Sequence, residues 1–264
     1  MRNGLLRVCL LVLVGSCASA REPSSAPPPA GPAGLSADSS IDQVLDALHD
    51  AGRDLKDFSA DVSLTITDTI TEDSVTRLGQ VWFQNKAPGD ARLRVVFDRK
   101  RTGTRTVDEK IEYLLDEGWL RDRDYRRKVQ VNRQVLRPGQ KINLLKLGEG
   151  PFPLPIGQDK DEVKKQFEVQ RLAPAADDPP STVHLTLKPL ENSQFARRFS
   201  AIEVWVDTGN RFPVRIAALD RNGTEKKTTD LAGLKLNAGV APDAFTMEKV
   251  DQKDWTIHDE PYSD

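Results

Sequence analysis

Phe58-Ser59-Ala60-Asp61-Val62-Ser63-Leu64-Thr65-Ile66-Thr67 is the stretch that decides the fold. From residue 62 onward apolar and polar side chains alternate, so an extended segment would have one apolar and one polar face. The same period of two recurs in residues 93–97, 129–131 and 183–187. This alternation predicts antiparallel strands with one buried face, and Asn222-Gly223 adds a two-residue hairpin signal. We expect about ten or eleven strands between residues 59 and 232.

A helix is expected just before these strands. Ser40 and Gln43 have the spacing of a capping box, in which each side chain accepts a hydrogen bond from the other residue's backbone amide. Gly52 lowers helix propensity by about 1 kcal/mol relative to alanine, so this helix should depend on packing. The apolar residues at helical spacing are Ile41, Val44, Leu48, Leu55 and Phe58.

The middle of the chain must help to cover the large apolar face of such a sheet. Residues 151–155 have proline at every second position, which excludes helix and prevents ladder hydrogen bonding. Two interpretations stay open: a lid over an apolar cavity, or a loop that plugs the end of a barrel. The candidate lid residues are Leu144, Leu147, Phe152, Leu154 and Ile156.

The N-terminal residues have the pattern of an export signal. Two arginines precede a short apolar run that is too short for a membrane-spanning helix, and small residues follow it. Val14-Gly15-Ser16-Cys17 is typical of a lipobox, which predicts a lipid anchor at Cys17, whereas cleavage after Ala20 would leave a soluble protein. We therefore expect a signal peptide at 1–16, a lipid anchor and Pro/Ser-rich tether at 17–39, a domain at 40–250 and a tail at 251–264.

Composition argues against several classes of function. The two cysteines, Cys9 and Cys17, both lie before the domain, so a disulfide or a cysteine-based site within it is excluded. A formal net charge of −2 gives no basis for binding nucleic acid. The three histidines lie far apart, and neither a metal site, a cofactor motif nor a catalytic triad is expected.

Several short motifs, taken in order, resemble the LolA/LolB-type lipoprotein carriers of the bacterial envelope. The resemblance covers most of residues 40–248, and each motif is a strand with its turn. The motifs include Leu55-Lys56-Asp57-Phe58, Gly79-Gln80-Val81-Trp82-Phe83, Arg92-Leu93-Arg94-Val95, Phe199-Ser200-Ala201-Ile202 and Asp220-Arg221-Asn222-Gly223.

The resemblance implies a mainly β (α+β) fold: a curved antiparallel half-barrel with an N-terminal helix and a lid segment. It implies a periplasmic protein that binds and transfers lipoprotein acyl chains or other lipids without covalent chemistry. We expect a monomer, anchored to the outer membrane through Cys17, with donor and acceptor envelope proteins as partners. In this family a basic residue holds the lid closed, and the matching positions here are Arg94 and Lys86.

Large apolar residues on the predicted strands are the candidate cavity lining, although such residues can equally form a plain core. They are Leu64, Ile66, Trp82, Phe83, Val95, Phe97, Leu185 and Leu187. Two other functions remain open. A protein-binding or sensor module could use the same scaffold without carrying lipid. An enzyme would be favoured if Asp122, Asp124 or His184 converged in one cleft.

Overall fold

The computed structural model describes residues 34–87, 90–137, 140 and 156–262. These residues form one open sheet of twelve strands with two α-helices, so the expected mainly β fold is confirmed. In chain order the elements are α1 (Ile41–Arg53), β1 (Asp57–Asp68), β2 (Ser74–Ala87), β3 (Asp90–Thr102), β4 (Arg105–Asp116), β5 (Trp119–Asp124), β6 (Val129–Gln134), α2 (Lys160–Gln166), β7 (Phe167–Arg171), β8 (Thr182–Pro189), β9 (Phe199–Asp207), β10 (Pro213–Asp220), β11 (Glu225–Leu236) and β12 (Thr256–Glu260).

Neighbours in the sheet follow the order β12-β6-β5-β4-β3-β2-β1-β11-β10-β9-β8-β7. Most pairs are antiparallel hairpin neighbours, and β1 joins the two halves by pairing with both β2 and β11. One pairing differs from the all-antiparallel expectation, because β12 runs parallel to β6. This strand lies in the segment expected to be a tail. Its alternation is weak, and polar contacts such as Arg133 with Glu260, 2.6 Å apart, hold it at the sheet edge.

Helix α1 begins as the sequence predicts. The Ser40 side chain accepts from the Gln43 amide, and the Gln43 side chain accepts from the Ser40 amide. The helix ends at Arg53, so Leu55 and Phe58 lie beyond it, and Phe58 is already part of β1. The apolar spacing of these two residues reflects their shared burial and not a longer helix.

Helix α2 is not predicted by the sequence, because its seven residues are too short to show a clear period and only Val163 is buried. Among the described residues, no helix is both long enough and apolar enough to cross a membrane.

Candidate functional site

The sheet has two faces, which we distinguish by their cover. The inner face is the one on which α1 packs, and the outer face is the opposite one. Helix residues Val44, Leu45 and Leu48 are almost fully buried against inner-face residues of β8, β9 and β10. In this half of the molecule α1 covers the inner face and forms an ordinary core.

The other half of the inner face has a second core cluster. Phe58 and Phe83 stack with their ring centroids 5.3 Å apart, and Phe212 contacts Phe58 at 5.4 Å. Val95 and Phe97 of β3 extend the cluster along the face. Its described members from outside the strands are Leu55, Ile156 and Phe212.

Seven apolar strand residues pack against this second cluster and are only partly buried. Leu234 and Leu236 lie at the end of β11, and the other five, which we call the apolar patch, are Leu64, Leu93, Tyr113, Leu120 and Leu231. They lie on five strands, β1, β3, β4, β5 and β11. On each of these strands the patch therefore gives the inner face an apolar side chain with partial access to solvent.

The structure brings only some of the predicted cavity residues together. Leu64, Phe83, Val95 and Phe97 all belong to the second cluster or border it. Leu185 and Leu187 lie in the first cluster, where α1 covers them and leaves both at most 1% exposed.

Trp82 does not belong to this surface. Neighbouring residues of a strand point to opposite faces, so Trp82 lies on the outer face when Phe83 lies on the inner one. The Arg94 guanidinium lies 5.6 Å from the centre of the Trp82 ring, which fits that placement. The sequence predicts that Trp82 and Phe83 line one cavity, and strand geometry prevents it.

Of the predicted lid, Ile156 lies within the described residues, and Leu144, Leu147, Phe152 and Leu154 lie outside them, as does Cys17. Ile156 is fully buried in the second cluster. It lies against α1 at Gly52, where an added Cβ atom would meet the Ile156 Cγ2 atom at 2.7 Å and the Gly157 amide nitrogen at 2.3 Å. This end of the segment is therefore packed closely onto the helix.

A cavity of about 1090 Å³ continues from the inner face at the β1–β2 hairpin end. Ile66 and Val75 contribute apolar side chains, and Arg77 and Lys100 contribute positive charge. Both cations share one acidic neighbour: Glu109 lies 3.7 Å from Arg77 and 3.8 Å from Lys100.

Two titratable groups of the inner face have altered acidity. Burial raises the pKa of Asp122 and of Tyr113, and the nearby charge of Asp124 raises both further. Asp122 and Asp124 lie on β5, whereas His184 lies on β8 with seven strands between them in the sheet order. These residues do not converge in one cleft. Among the described residues no group of three or more His, Cys, Asp or Glu side chains could hold a metal ion.

The two predicted latch residues have other partners. Arg94 forms an ion pair with the fully buried Glu112 at 2.6 Å and donates to the Ala244 carbonyl at 2.8 Å. Lys86 pairs with Asp116 at 2.8 Å and with Asp90 at 3.3 Å. Within the part of the chain that is described, Arg94 thus fixes the C-terminal segment, residues 241–260, on the outer face.

Sequence reasoning missed the other members of this outer-face network. Tyr125 donates to Glu112 at 2.7 Å, and Arg123 donates to Gln130 and to the Glu248 carbonyl. Phe245 is 5% exposed, and the Arg92 guanidinium lies 4.0 Å from its ring centre. The residue that could have indicated this network is Glu112, an acidic residue inside an otherwise apolar run, Ile111-Glu112-Tyr113-Leu114-Leu115.

No protein-family model and no curated protein matches the chain. An uncharacterized conserved protein from Thermus thermophilus is similar in structure, with 14% identity and a TM-score of 0.48 over 84% of this chain and 100% of that one. A chain of the Pseudomonas aeruginosa MucA/MucB complex has 15% identity and a TM-score of 0.45, over 78% of this chain and 60% of that one.

A LolA superfamily protein from Nitrosomonas europaea is also similar, with 12% identity and a TM-score of 0.30 over 79% of this chain and 99% of that one. All three TM-scores lie below 0.5.

Proposed function

We propose that this protein binds the acyl chains of a lipid or lipoprotein on the inner face of its sheet and releases them without covalent chemistry. The observation that carries the proposal is the apolar patch, whose side chains remain partly exposed beside a fully packed core. Each CH₂ group that leaves water for such a surface gains about 0.8 kcal/mol. A chain of ordinary length would therefore bind without any polar contact.

The two faces of the sheet support this choice of surface. On the outer face, Phe245 and the Arg94–Glu112 pair fix the C-terminal segment over β3 and β4. On the inner face, α1 packs over β8 to β10, while the patch extends over β1 and β3 to β5. An acyl chain would complete the inner face where the helix does not reach.

The envelope setting forms part of the same proposal. The leader and the lipobox at Cys17 support an exported protein anchored to a membrane by a Pro/Ser-rich tether. Donor and acceptor proteins of the envelope would then supply and accept the lipid. Affinity for acyl chains would be matched to those partners, since release must remain possible.

Leu64→Asp tests the binding surface directly. The full-length protein is titrated with the neutral fluorophore N-phenyl-1-naphthylamine, and 1-dodecanol is then added as a competitor. We expect the wild type to bind and to release the fluorophore to dodecanol. The variant should lose binding by at least about tenfold, because a carboxylate in the patch must be desolvated when a chain binds.

The matched control is Ser63→Asp, which adds the same charge one residue earlier on β1 and therefore on the outer face. We expect it to bind as the wild type does. Equal loss in both variants would show a general effect of charge or folding. A wild type that binds neither fluorophore nor dodecanol would contradict the proposal and favour a protein-binding module.

A further inference from the structure

The side chains of Arg77 and Lys100 donate no hydrogen bond to any described residue. Both side chains are largely buried, with exposed fractions of 25% and 30%. Within the described part of the chain their ionic contact is Glu109, at 3.7 and 3.8 Å, which is longer than a hydrogen bond. The Arg77 Nε atom is buried without a partner among those residues. By contrast, Arg94, Arg123 and Arg215 each donate at least two hydrogen bonds.

Among the described residues, Glu109 is the one acid at ion-pair distance from the two cations. Glu109 supplies one negative charge for two positive ones. Four more acids line the cavity: Asp68, Glu72, Asp73 and Glu225. Two of them have other partners, since Asp68 accepts from the amides of a turn and Glu225 pairs with Lys227 at 2.8 Å. The backbone amides of that turn also lower the pKa of Asp68, so its charge is already stabilised.

Strand register places the cations at the end of the apolar patch. Leu64 of β1 is directly opposite Arg77 of β2, and Arg77 is directly opposite Lys100 of β3. All three therefore lie on the inner face, and the cavity of about 1090 Å³ begins beside them. An apolar surface that ends at two cations, one of which has a buried Nε atom without a partner among the described residues, complements an amphiphile with a negative head.

We propose that Arg77 and Lys100 bind the anionic head group, a carboxylate or a phosphate, of the lipid whose acyl chain lies on the apolar patch. This inference rests on the proposed function and narrows its ligand class to anionic amphiphiles. The guanidinium donates to the oxyanion through the Nε atom that now lacks an acceptor. Lys100 adds a second charge from the neighbouring strand, and Glu109 holds both side chains in place.

Three ligands with the same dodecyl chain and different heads test the proposal: 1-dodecanol, laurate and dodecyl phosphate. Each is titrated against the N-phenyl-1-naphthylamine complex of the full-length protein at pH 8. We expect the anionic ligands to compete better than dodecanol. Arg77→Gln and Lys100→Gln should each weaken the anionic ligands by about tenfold, the effect of losing one charge-assisted hydrogen bond, and should change dodecanol less than about twofold. The stronger of the two anionic ligands identifies the head group as a carboxylate or a phosphate.

Arg99→Gln is the matched control, because Arg99 is next to Lys100 on β3, points to the outer face and has an exposed fraction of 54%. It should leave all three ligands unchanged. Thermal unfolding of each variant shows whether the fold is retained, and Lys100→Gln provides the test if Arg77→Gln does not fold. Dodecanol binding with no preference for anions, or equal loss of all three ligands in a folded variant, would overturn the head-group site while leaving acyl binding intact. Absence of all binding by the wild type would instead contradict the proposed function.

Discussion

At position 52, helix propensity favours alanine, whereas packing favours the glycine that is present. Alanine is the better helix former by about 1 kcal/mol. A Cβ at this position, however, would come within 2.4 Å of the Gly157 Cα atom, which is backbone and cannot rotate away. The close approach of residues 156–157 to α1 therefore requires glycine.

We expect Gly52→Ala to destabilise the protein by about 1–3 kcal/mol, the usual cost of overpacking, despite its gain in propensity. Urea unfolding measures the change. The control is Ala51→Gly on the same helix, which should cost about 1 kcal/mol through propensity alone. An increase in stability for Gly52→Ala would show that the 156–157 segment does not pack against the helix.

His184 is a buried histidine, and neither of its ring nitrogens has a hydrogen-bond partner among the described residues. It stacks on Trp205 with ring centres 4.0 Å apart, and its Nδ1 atom lies 3.5 Å from an Asp178 oxygen. Burial lowers the pKa of His184 below its ordinary 6.5, and the negative charge of Asp178 opposes this only in part. At a pH between the two pKa values, His184 is therefore protonated less in the folded protein than in the unfolded chain.

The sign of the pH dependence follows from that difference. As pH falls from about 7 through 6.5 toward the lower folded pKa, the unfolded chain binds more protons, and the free energy of unfolding decreases. His184→Phe keeps a ring on Trp205 and should remove this part of the acid sensitivity. Chemical unfolding at about pH 7 and about pH 5.5 measures it. His258→Phe, at an exposed position on β12, should keep the wild-type dependence, and an identical profile for both variants would contradict the account.

At the scale of the element, the C-terminal segment is the part that sequence patterns described least well. Its strand β12 pairs in parallel with β6. Other contacts are side chains of the sheet that donate to its backbone, such as Arg94 to Ala244 and Arg123 to Glu248. These contacts do not require apolar and polar residues to alternate in the segment. The sequence pattern therefore predicts neither a strand there nor the packing of the segment on the outer face.

Phe245 should anchor this segment, because it is its most buried apolar side chain among the described residues and Arg92 lies over its ring. We expect Phe245→Ala to speed amide hydrogen exchange across residues 242–260 by at least about tenfold, with a smaller effect in α1. Leu190→Ala, at a position 36% exposed, is the comparison variant and should have little effect on the segment. Equal acceleration in α1 and in the segment would mean that the two unfold as one unit.

Helix α1 illustrates what local signals could and could not provide. Its start is predictable, because a capping box is a local hydrogen-bond pattern. Its end is not, because Leu55 continues the apolar spacing while the backbone has already left the helix. Long-range packing therefore decides the boundary.

At the scale of the whole molecule, the sequence predicts the open, mainly β sheet well, but it predicts poorly which side chains lie on which face of that sheet. Alternation of apolar and polar residues indicates which side chains are buried when one face of the strand is exposed to solvent, as in residues 62–67. In β2 to β4 both faces carry apolar residues, since Trp82 and Leu114 lie on the outer face near the C-terminal segment. The face could be assigned only after the long-range cover was known.

The same limit applies to the cations. Arg77 and Lys100 are distant in the sequence, and a β-bulge between Phe97 and Arg99 changes which β3 residues face inward. A strict period of two along β3 would place Lys100 on the outer face. Register across three strands brings the pair together beside Leu64.

Native mass spectrometry of the full-length protein, purified without detergent, tests the central claim most directly. We predict a non-covalent adduct of lipid mass in the wild type that disappears in Leu64→Asp and persists in Ser63→Asp. The denaturing mass of the same sample shows whether the chain begins at an acylated Cys17. A wild-type protein with no adduct, which also takes up neither laurate nor dodecyl phosphate when they are added, would contradict lipid binding on the inner face.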